Sequence, residues 1–291
     1  MLTSILVSGL GLGLGSMYGL VALGFHVTYA VSGTVNFAQG SVVTLGAVLA
    51  YALGVTLGWP MPAAIVLALA GCALFGLVVE RALVRPFVAR GSDAWLLATV
   101  AGGIVLDNTM LFTFGKEPRS LPSPLATKPV EILGTGIYPL QLVIPVVGIA
   151  LAFAIRTVFR RTDLGRVLLA VAQNADAARL MGIDVRRTVA CAFALSAVLA
   201  GIAGLLIAPL FSVSAELGTL FGIKAFAVAI LGGIGSATGV ILAGLLYGLV
   251  EAGVTATLGS TYTQLVVFSV IILALTLRPD GLLGRAAVNK V

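Results

Sequence analysis

Side chains that could carry acid–base, nucleophilic or metal chemistry are scarce in this sequence of 291 residues. It has one histidine, His26, and two cysteines, Cys72 and Cys191, and all three lie in apolar stretches. A zinc site or a Ser-His-Asp triad needs several such groups at a defined spacing, which the sequence does not offer. The phosphate-loop pattern G-x-x-x-x-G-K-[ST] is also missing. The sequence therefore predicts a protein that is not an enzyme, has no metal or cofactor, and does not bind ATP in the phosphate-loop manner.

The charge of the chain is concentrated in one segment, residues 156–187, which holds ten of the 28 charged residues. Within it, Asn174 can cap a short helix, because its side chain accepts hydrogen bonds from the first free backbone N–H groups. Asp176 and Arg179 suit the positive and negative ends of that helix. Gly182 then supplies the left-handed residue that ends it. The pattern predicts a helix of about two turns that is capped at both ends.

The small residues of this helix suggest what it contacts. Ala177, Ala178 and Gly182 predict a low-profile surface that the groove of a partner protein can accept. The alternative is an amphipathic helix that rests on lipid headgroups, with its arginines facing the phosphates. The candidate contact residues are Asn174, Asp176, Ala177, Ala178, Arg179 and Gly182.

Two polar or glycine-rich segments interrupt the apolar sequence. The first, residues 31–41, contains Asn36 and Gln39, and the second, residues 231–239, reads LGGIGSATG. Each glycine in a helix interior costs about 1 kcal/mol relative to alanine, so the second segment is a poor helix interior. Non-helical backbone at membrane depth is tolerated only where protein or a water-filled cavity covers it, which suggests a transport pathway. The candidate pathway residues are Asn36, Gln39, Gly232, Gly233, Gly235 and Ser236.

A plainer interpretation stays open for each of these segments. Residues 31–41 can be a tight cytoplasmic turn between two spans, and the absence of nearby charge leaves this undecided. Residues 231–239 can be a packing face, because glycine and serine let membrane helices approach closely. Two broken elements in different halves of a transporter nevertheless point to a central site.

Four ionisable residues lie within or beside the apolar stretches: Glu80, Asp107, Lys224 and Glu251. A charge at the centre of a bilayer costs about 2.5–3.5 kcal/mol on insertion scales. Glu80 and Glu251 lie near span ends, where we expect them to reach the interface or to pair locally. Asp107 and Lys224 are the candidate intramembrane charges, and an ion pair between them is one possibility. One deep aspartate is few for a carrier driven by protons or ions, which weakens that class of function.

The elements that must position these residues are membrane spans. The chain is 59% hydrophobic and 10% charged, whereas soluble domains carry about 25% charged residues. Stretches of about 20 apolar residues suffice to cross a bilayer. Such stretches occur at residues 5–30, 41–57, 61–79, 94–114, 140–158, 189–210, 221–250 and 265–277. The sequence predicts an all-α polytopic membrane protein that forms one domain over residues 1–291, with about eight transmembrane segments and broken helices near 31–41 and 231–239.

The distribution of lysine and arginine predicts which loops face the cytoplasm. Thirteen of the 17 basic residues fall in three clusters, at residues 81–90, 156–187 and 278–290. By the positive-inside rule, residues 156–188 form a cytoplasmic loop and residues 278–291 a cytoplasmic tail, whereas the proline-rich residues 116–138 form an external loop. The stretch 221–250 must then enter from the outside and return there, which predicts two half-helices. Basic charge confined to such loops argues against nucleic acid as a partner.

Part of the charged segment resembles a known motif. The pattern D-A-A-x-x-x-G, formed by Asp176, Ala177, Ala178 and Gly182, resembles the EAA loop of ABC importer permeases, with Asp in place of the usual Glu. In that family the loop forms a coupling helix that docks into a cleft of the ATPase subunit. The downstream I-x-L-P of the motif is absent here, which fits a divergent branch of permeases.

Longer segments resemble one branch of that family. The segments GLVALGFHVTYAVSGTVNFAQGS, NADAARLMGID, GIKAFAVAILGGIGSATGVILAGLLYGLVEA and RPDGLLGR follow each other in an order and spacing similar to those of LivH-type permeases of branched-chain amino acid ABC transporters. The resemblance covers nearly the whole chain. One departure is Gln39, where the family often has His, and we expect little functional consequence.

The resemblance implies a heteromeric importer in the bacterial inner (cytoplasmic) membrane. This chain would form half of the translocation pathway, and a LivM-like second permease subunit would complete it. Two ATP-binding subunits would bind below, and a periplasmic substrate-binding protein would deliver leucine, isoleucine or valine. Related systems carry urea, amides or other small amino acids. A stand-alone channel or secondary carrier, which needs no ATPase, and a non-transporting scaffold are the rival functions from other classes.

Overall fold

α-Helices make up most of the chain in the computed structural model, which describes residues 10–126, 129–132, 135–214, 217–278 and 281–284. The helices are α1 (Leu10–Ser32), α2 (Gln39–Tyr51), α3 (Met61–Val78), α4 (Arg85–Val88), α5 (Trp95–Phe114), α6 (Pro139–Arg161), α7 (Asp163–Gln173), α8 (Ala175–Leu180), α9 (Val185–Ile207), α10 (Leu217–Gly232), α11 (Ala237–Leu258) and α12 (Ser260–Leu277). A π-helical turn, Ala52–Thr56, extends α2, and a second one, Val79–Val84, joins α3 to α4. Between α5 and α6 lie a 3-10 turn, Pro124–Ala126, and an antiparallel hairpin of β1 (Val130–Ile132) and β2 (Thr135–Ile137).

Eight helical stretches in the described part of the chain are long and apolar enough to cross a membrane. They are Gly11–Ser32, Gln39–Thr56, Met61–Val88, Trp95–Phe114, Pro139–Arg161, Val185–Ile207, Ala237–Leu258 and Ser260–Leu277. The predicted all-α polytopic fold with about eight transmembrane segments is confirmed, and the hairpin is a small addition within residues 116–138. The start of the first predicted span, before residue 10, and the tail after residue 284 lie outside the described residues.

Both predicted interruptions are helix breaks. α1 ends at Ser32 and α2 begins at Gln39, while α10 ends at Gly232 and α11 begins at Ala237. However, α11 has 22 residues, which corresponds to about 33 Å and is enough to cross a membrane. The prediction of two half-helices is therefore wrong for α11. The reason is that Ser236 caps α11 and lets it begin within five residues of the end of α10, so the break precedes a full-length helix.

The chain divides into two compact units, and each is discontinuous in sequence. Unit 1 comprises residues 1–26, 123–152 and 224–291, and unit 2 comprises residues 27–122 and 153–223. α1, α6 and α10 each begin in one unit and end in the other. The division does not follow the order of the chain, and a single domain over residues 1–291 stays a prediction.

Small residues let three helices of unit 2, α2, α3 and α9, pack closely. A Cβ atom at Gly46 of α2 would lie 2.7 Å from the Cα atom of Gly201 in α9. One at Gly76 of α3 would lie 2.6 Å from the carbonyl oxygen of Phe193 in α9. Cys72 is a free, buried thiol that packs as a small apolar side chain. This close packing fixes the polar side chains of α2 and α9 relative to each other.

In unit 1, α1 crosses α11 through glycines. A Cβ atom at Gly15 would lie 2.6 Å from the carbonyl oxygen of Gly244, and one at Gly244 would lie 2.6 Å from the Cα atom of Gly19. Beside this crossing, the rings of Tyr18 and Tyr247 meet edge to face with their centroids 5.2 Å apart. The glycine contact thereby fixes the positions along the two helix axes at which polar side chains of α1 and α11 face each other.

Candidate functional site

The predicted caps of the short helix in the charged segment are confirmed. The side-chain oxygen of Asn174 accepts hydrogen bonds from the backbone N–H groups of Asp176 and Ala177 at 3.1 and 3.0 Å. Gly182 has a φ angle of 83°, the left-handed conformation that ends a helix. Arg179 Nη1 lies 3.0 Å from Asp176 Oδ1. The result is α8, six residues held between α7 and α9.

The two faces of α8 differ in exposure. Ala178 is 4% exposed and belongs to a core cluster of unit 2. The other buried members of that cluster are Val27, Val31, Leu168, Val171, Val185 and Ala192. Ala178 therefore anchors α8 to its own unit and contributes little to the surface that a partner could touch. By contrast, Leu180 and Met181 are 89% and 82% exposed.

The sequence interpretation missed Leu180 and Met181 as contact candidates. The signal was present, because Ala175 and Ala178 are spaced by three residues and share the inward face of the helix. A large apolar side chain two residues after Ala178 must then point away from that face.

The charges around α8 are only partly compensated. The three aspartates of the segment each form an ion pair with an arginine three residues away, at 3.0 Å in every case. Four further arginines of the segment have no carboxylate within ion-pairing distance among the described residues, and all four are exposed. They are Arg156, Arg160, Arg161 and Arg186. The surface that carries α8 is therefore positive.

The first helix break, residues 33–38, lies within unit 2 and is held by side chains. Gln39 Nε2 donates a hydrogen bond to the carbonyl oxygen of Ser196 at 2.8 Å, and Ser196 Oγ donates to Gln39 Oε1 at 3.1 Å. Asn36 Oδ1 accepts from the N–H group of Ala38 at 3.1 Å. Asn36 is fully buried, and its Nδ2 has no hydrogen-bond partner among the described residues. Gln39 thus joins α2 to α9, and Asn36 keeps two buried donor hydrogens unused.

The second helix break, residues 233–236, lies within unit 1 and is held mainly by backbone atoms. The N–H group of Leu282, in the predicted tail, donates to the carbonyl oxygen of Leu231 at 2.7 Å. His26 Nδ1 lies 2.7 Å from the carbonyl oxygen of Ile234. Ser236 Oγ accepts from the N–H group of Gly239 at 3.2 Å and so begins α11.

The four candidate residues of the second break differ in burial. Gly232 and Gly233 are buried, Ser236 is half-buried, and Gly235 is exposed. His26, the one histidine of the sequence, makes this polar contact although it lies in an apolar stretch. The tail therefore covers Gly232 and Gly233, whereas Gly235 remains exposed to solvent or to a ligand.

Two ion pairs with buried carboxylates lie in different units. In unit 2, Arg85 forms two hydrogen bonds to Glu80, from Nε to Oε1 at 3.0 Å and from Nη2 to Oε2 at 2.7 Å. This local pair was expected for Glu80, and its spacing of five residues coincides with a π-helical turn. In unit 1, Lys224 forms an ion pair with Glu251. The partner of Glu251 thus lies 27 residues away on another helix rather than nearby in sequence.

Asp107, the other candidate intramembrane charge, is half-buried on α5 in unit 2. Its Oδ2 accepts a hydrogen bond from the hydroxyl of Thr219 at 3.3 Å. Its Oδ1 is buried without a hydrogen-bond partner among the described residues. Lys224 forms its ion pair with Glu251 instead of with Asp107.

A comparison with known protein families shows which class of membrane protein this chain belongs to. Residues 9–276 match the model of the family described as branched-chain amino acid transport system / permease component. The chain belongs to this permease family. The permease is 33% identical to the high-affinity branched-chain amino acid transport system permease protein LivH of Escherichia coli (strain K12), over 97% of this chain and 96% of that protein. It is also 33% identical, with the same two coverages, to the permease protein BraD of Pseudomonas aeruginosa from a system of the same description.

A solved structure has a similar fold. It is PsaBC from Streptococcus pneumoniae in complex with Fab, with a TM-score of 0.50, 15% identity, and coverage of 93% of this chain and 91% of that one. At this identity the likeness concerns the fold alone. The predicted LivH-type resemblance is confirmed, and the permease is a multi-pass protein of the bacterial inner membrane.

The candidate residues are distributed over both units. Unit 2 holds α8, the pair Gln39–Ser196 with Asn36, and Asp107; unit 1 holds the break at Gly235 and the pair Lys224–Glu251. No group of three His, Cys, Asp or Glu side chains in the described ranges is arranged to hold a metal ion.

Proposed function

We propose that this permease forms half of the translocation pathway of an ATP-driven importer for branched-chain amino acids, and that α8 couples it to an ATPase. A LivM-like second permease completes the pathway, two ATP-binding subunits bind on the cytoplasmic side, and a periplasmic binding protein delivers leucine, isoleucine or valine. The names of the relatives LivH and BraD, permeases of branched-chain amino acid transport systems, support this substrate class. Hydrolysis of ATP takes place on the partner subunits, and the permease has no catalytic residues of its own.

The observation that carries the coupling role is the exposed pair Leu180–Met181 at the end of a helix that is fixed on its other face. Large apolar side chains surrounded by polar groups are typical of the centre of a protein contact. Asp176 and Arg179 neutralise each other beside that pair. The four arginines without a carboxylate partner favour an acidic rim on the docking protein.

The position of α8 allows a push on it to reach the first helix break. Ala178 of α8 and Val185, the first residue of α9, lie in the same core cluster. Asp184 caps α9 by accepting a hydrogen bond from the N–H group of Arg187 at 3.1 Å. A displacement of α8 therefore moves the beginning of α9 as a rigid body rather than being absorbed by a loose connection.

α9 also carries Ser196, the hydrogen-bond partner of Gln39. A tilt of α9 would pull on Gln39 and so change the conformation around Asn36. Asn36 is the pathway candidate at this break, because its buried amide has unused donors. Gln39 is the side chain that links it to the movement, and Gly235 is the pathway candidate of the second break.

The coupling role can be tested with aspartate substitutions on the exposed face of α8. Leu180→Asp and Met181→Asp should each weaken ATPase association about 30-fold, as expected for a central contact worth about 2 kcal/mol. Leu164→Asp is the matched control, because Leu164 is a 69% exposed leucine of α7 in the same segment. Co-purification of the ATPase and ATP-dependent leucine uptake are the measurements. Equal effects of all three substitutions, or no effect of any, would contradict the coupling role.

The transport class can be tested by reconstitution. Proteoliposomes that contain the permease, its second permease and the ATPases should accumulate leucine only with ATP and the binding protein present. Flux of leucine through the permease alone would instead support a stand-alone carrier or channel. Uptake of urea or an amide in place of leucine would support the importer function but contradict the proposed substrate.

A further inference from the structure

A second feature of the permease has no part in coupling: the charged cluster buried in unit 1. Lys224 of α10 forms an ion pair with Glu251 of α11, and its Nζ also donates to the hydroxyl of Tyr18 on α1 at 3.3 Å. The side chains of Lys224 and Glu251 are only 15% and 10% exposed. All three residues lie in helices of apolar sequence. Ionisable side chains within membrane segments are costly and therefore mark functional sites.

One atom of this cluster is unsatisfied. Glu251 Oε2 is buried and has no hydrogen-bond partner in the described part of the chain. The Glu80–Arg85 pair differs in this respect, because both of its carboxylate oxygens accept a hydrogen bond from the guanidinium group. Leaving a buried acceptor unpaired costs about 1–3 kcal/mol. The Tyr18 hydroxyl also interacts with the carboxylate of Glu251, and Oε2 is the acceptor position that remains for a donor from a ligand.

The lysine side of the cluster is also incompletely used. An ammonium group has three donor hydrogens. Contacts with Glu251 and Tyr18 account for two of them, which leaves one for a ligand. The cluster thus offers a cationic donor and an anionic acceptor side by side, next to the apolar faces of Tyr18 and Tyr247.

We propose that Lys224 and Glu251 bind the zwitterionic end of an amino acid during its passage through the permease. The ammonium group of the substrate donates to Glu251, and its carboxylate accepts from Lys224. When the substrate opens the pair in this way, one internal ion pair is replaced by two with the ligand, so neither buried charge is left alone. Urea and amides carry no separated charges and cannot make this exchange. The inference rests on the proposed function and identifies the two residues that recognise the substrate.

The test uses competition with two analogues of leucine in the membrane complex, purified in nanodiscs without its soluble binding protein. 4-Methylpentanoate lacks the ammonium group, and 3-methylbutylamine lacks the carboxylate. Labelled leucine should be displaced by unlabelled leucine at concentrations about tenfold or more below those needed of either analogue, because each lost charged hydrogen bond costs at least that factor. Glu251→Gln should remove the preference over 4-methylpentanoate, and Lys224→Met the preference over 3-methylbutylamine.

Two further variants separate binding from packing. Glu80→Gln removes one partner of the other buried pair and should leave both preference ratios unchanged, even if it lowers stability. The double substitution Lys224→Glu with Glu251→Lys keeps an ion pair but exchanges its ends, so it should fold and lose leucine binding at least tenfold. Wild-type binding by this exchanged variant, or unchanged ratios in Glu251→Gln and Lys224→Met, would overturn the inference.

The outcome for the proposed function is read separately, from leucine uptake by the complete wild-type importer in proteoliposomes. Uptake together with equal displacement by leucine and both analogues would overturn the zwitterion site and leave the importer function intact. Absence of amino acid uptake by the complete importer would overturn the proposed function, and this inference with it.

Discussion

The two helix breaks of the permease are stabilised by different chemistry. At the first break, side chains make the connection, since Gln39 and Ser196 exchange two hydrogen bonds between α2 and α9. At the second, backbone atoms make it, since the tail N–H group of Leu282 binds the carbonyl oxygen of Leu231. The first break is exposed only at Gly33 and keeps an unused buried amide at Asn36, whereas the second break is exposed at Gly235.

This difference suggests different roles for the two breaks. A connection made by two side chains on different helices changes when one helix tilts, and α9 is the helix that α8 would move. A connection made by neighbouring backbone segments keeps its geometry unless the segments separate. We therefore expect the first break to respond to the ATPase and the second to remain a fixed structural element.

The largest expected effect of a single substitution is at Gln39. Gln39→Leu removes both hydrogen bonds to Ser196 from a buried site, which should lower the free energy of unfolding by about 2–4 kcal/mol. It should also reduce ATP-coupled leucine uptake, because the link from α9 to the break is lost. Thermal unfolding of the purified permease and uptake in proteoliposomes measure the two effects.

Gln39→His is the matched control, since a histidine retains hydrogen-bonding groups at this position. It should preserve more of the stability and the uptake than Gln39→Leu does. If the leucine variant matched the wild type in both measurements, the side-chain connection at the first break would have no importance.

A smaller effect is expected where backbone conformation governs the second break. Gly281 has a φ angle of 80°, and a Cβ atom there would lie 2.5 Å from the backbone nitrogen of Gly233. Gly281→Ala should therefore destabilise the permease by about 2 kcal/mol. Gly235→Ala is the control, because its Cβ atom would meet open space and its φ angle is not positive. Equal unfolding temperatures for the two variants would show that the tail does not hold the break.

The smallest effect is expected at the start of α11. Ser236→Ala removes the side-chain cap that accepts from Gly239 and should cost about 1 kcal/mol of stability, without loss of uptake. Ser236→Asn restores a capping side chain and should recover that stability. A strong loss of uptake in Ser236→Ala at unchanged stability would mean that the second break takes part in transport movements after all.

Features that depend on neighbouring residues could be predicted from the sequence. Asn174 and Gly182 predicted both ends of α8, because a cap needs only the backbone groups next to it. Gly232 and Gly233 likewise predicted a helix break, because their cost to a helix is local. The eight apolar stretches predicted the spans for the same reason.

Features that depend on distant residues could not be predicted. Lys224 and Glu251 stand on different helices, and no periodicity within one helix shows which charge faces which. The contact of Leu282 with Leu231 could not be predicted for the same reason, because it joins the tail to α10. Ala178 was assigned to the surface because its burial depends on Val27 and Val185, which become its neighbours only in the fold.

The central claim is that α8 contacts the ATPase through Leu180 and Met181, and cross-linking tests it most directly. A variant with Met181→Cys should form a disulfide or short bismaleimide cross-link with a cysteine in the ATPase cleft, after native Cys191 is replaced by serine. Leu164→Cys, in the same background, should not. Cross-linking of Met181→Cys that depends on the nucleotide state would support the account. A cross-link from Leu164→Cys with none from Met181→Cys would contradict it.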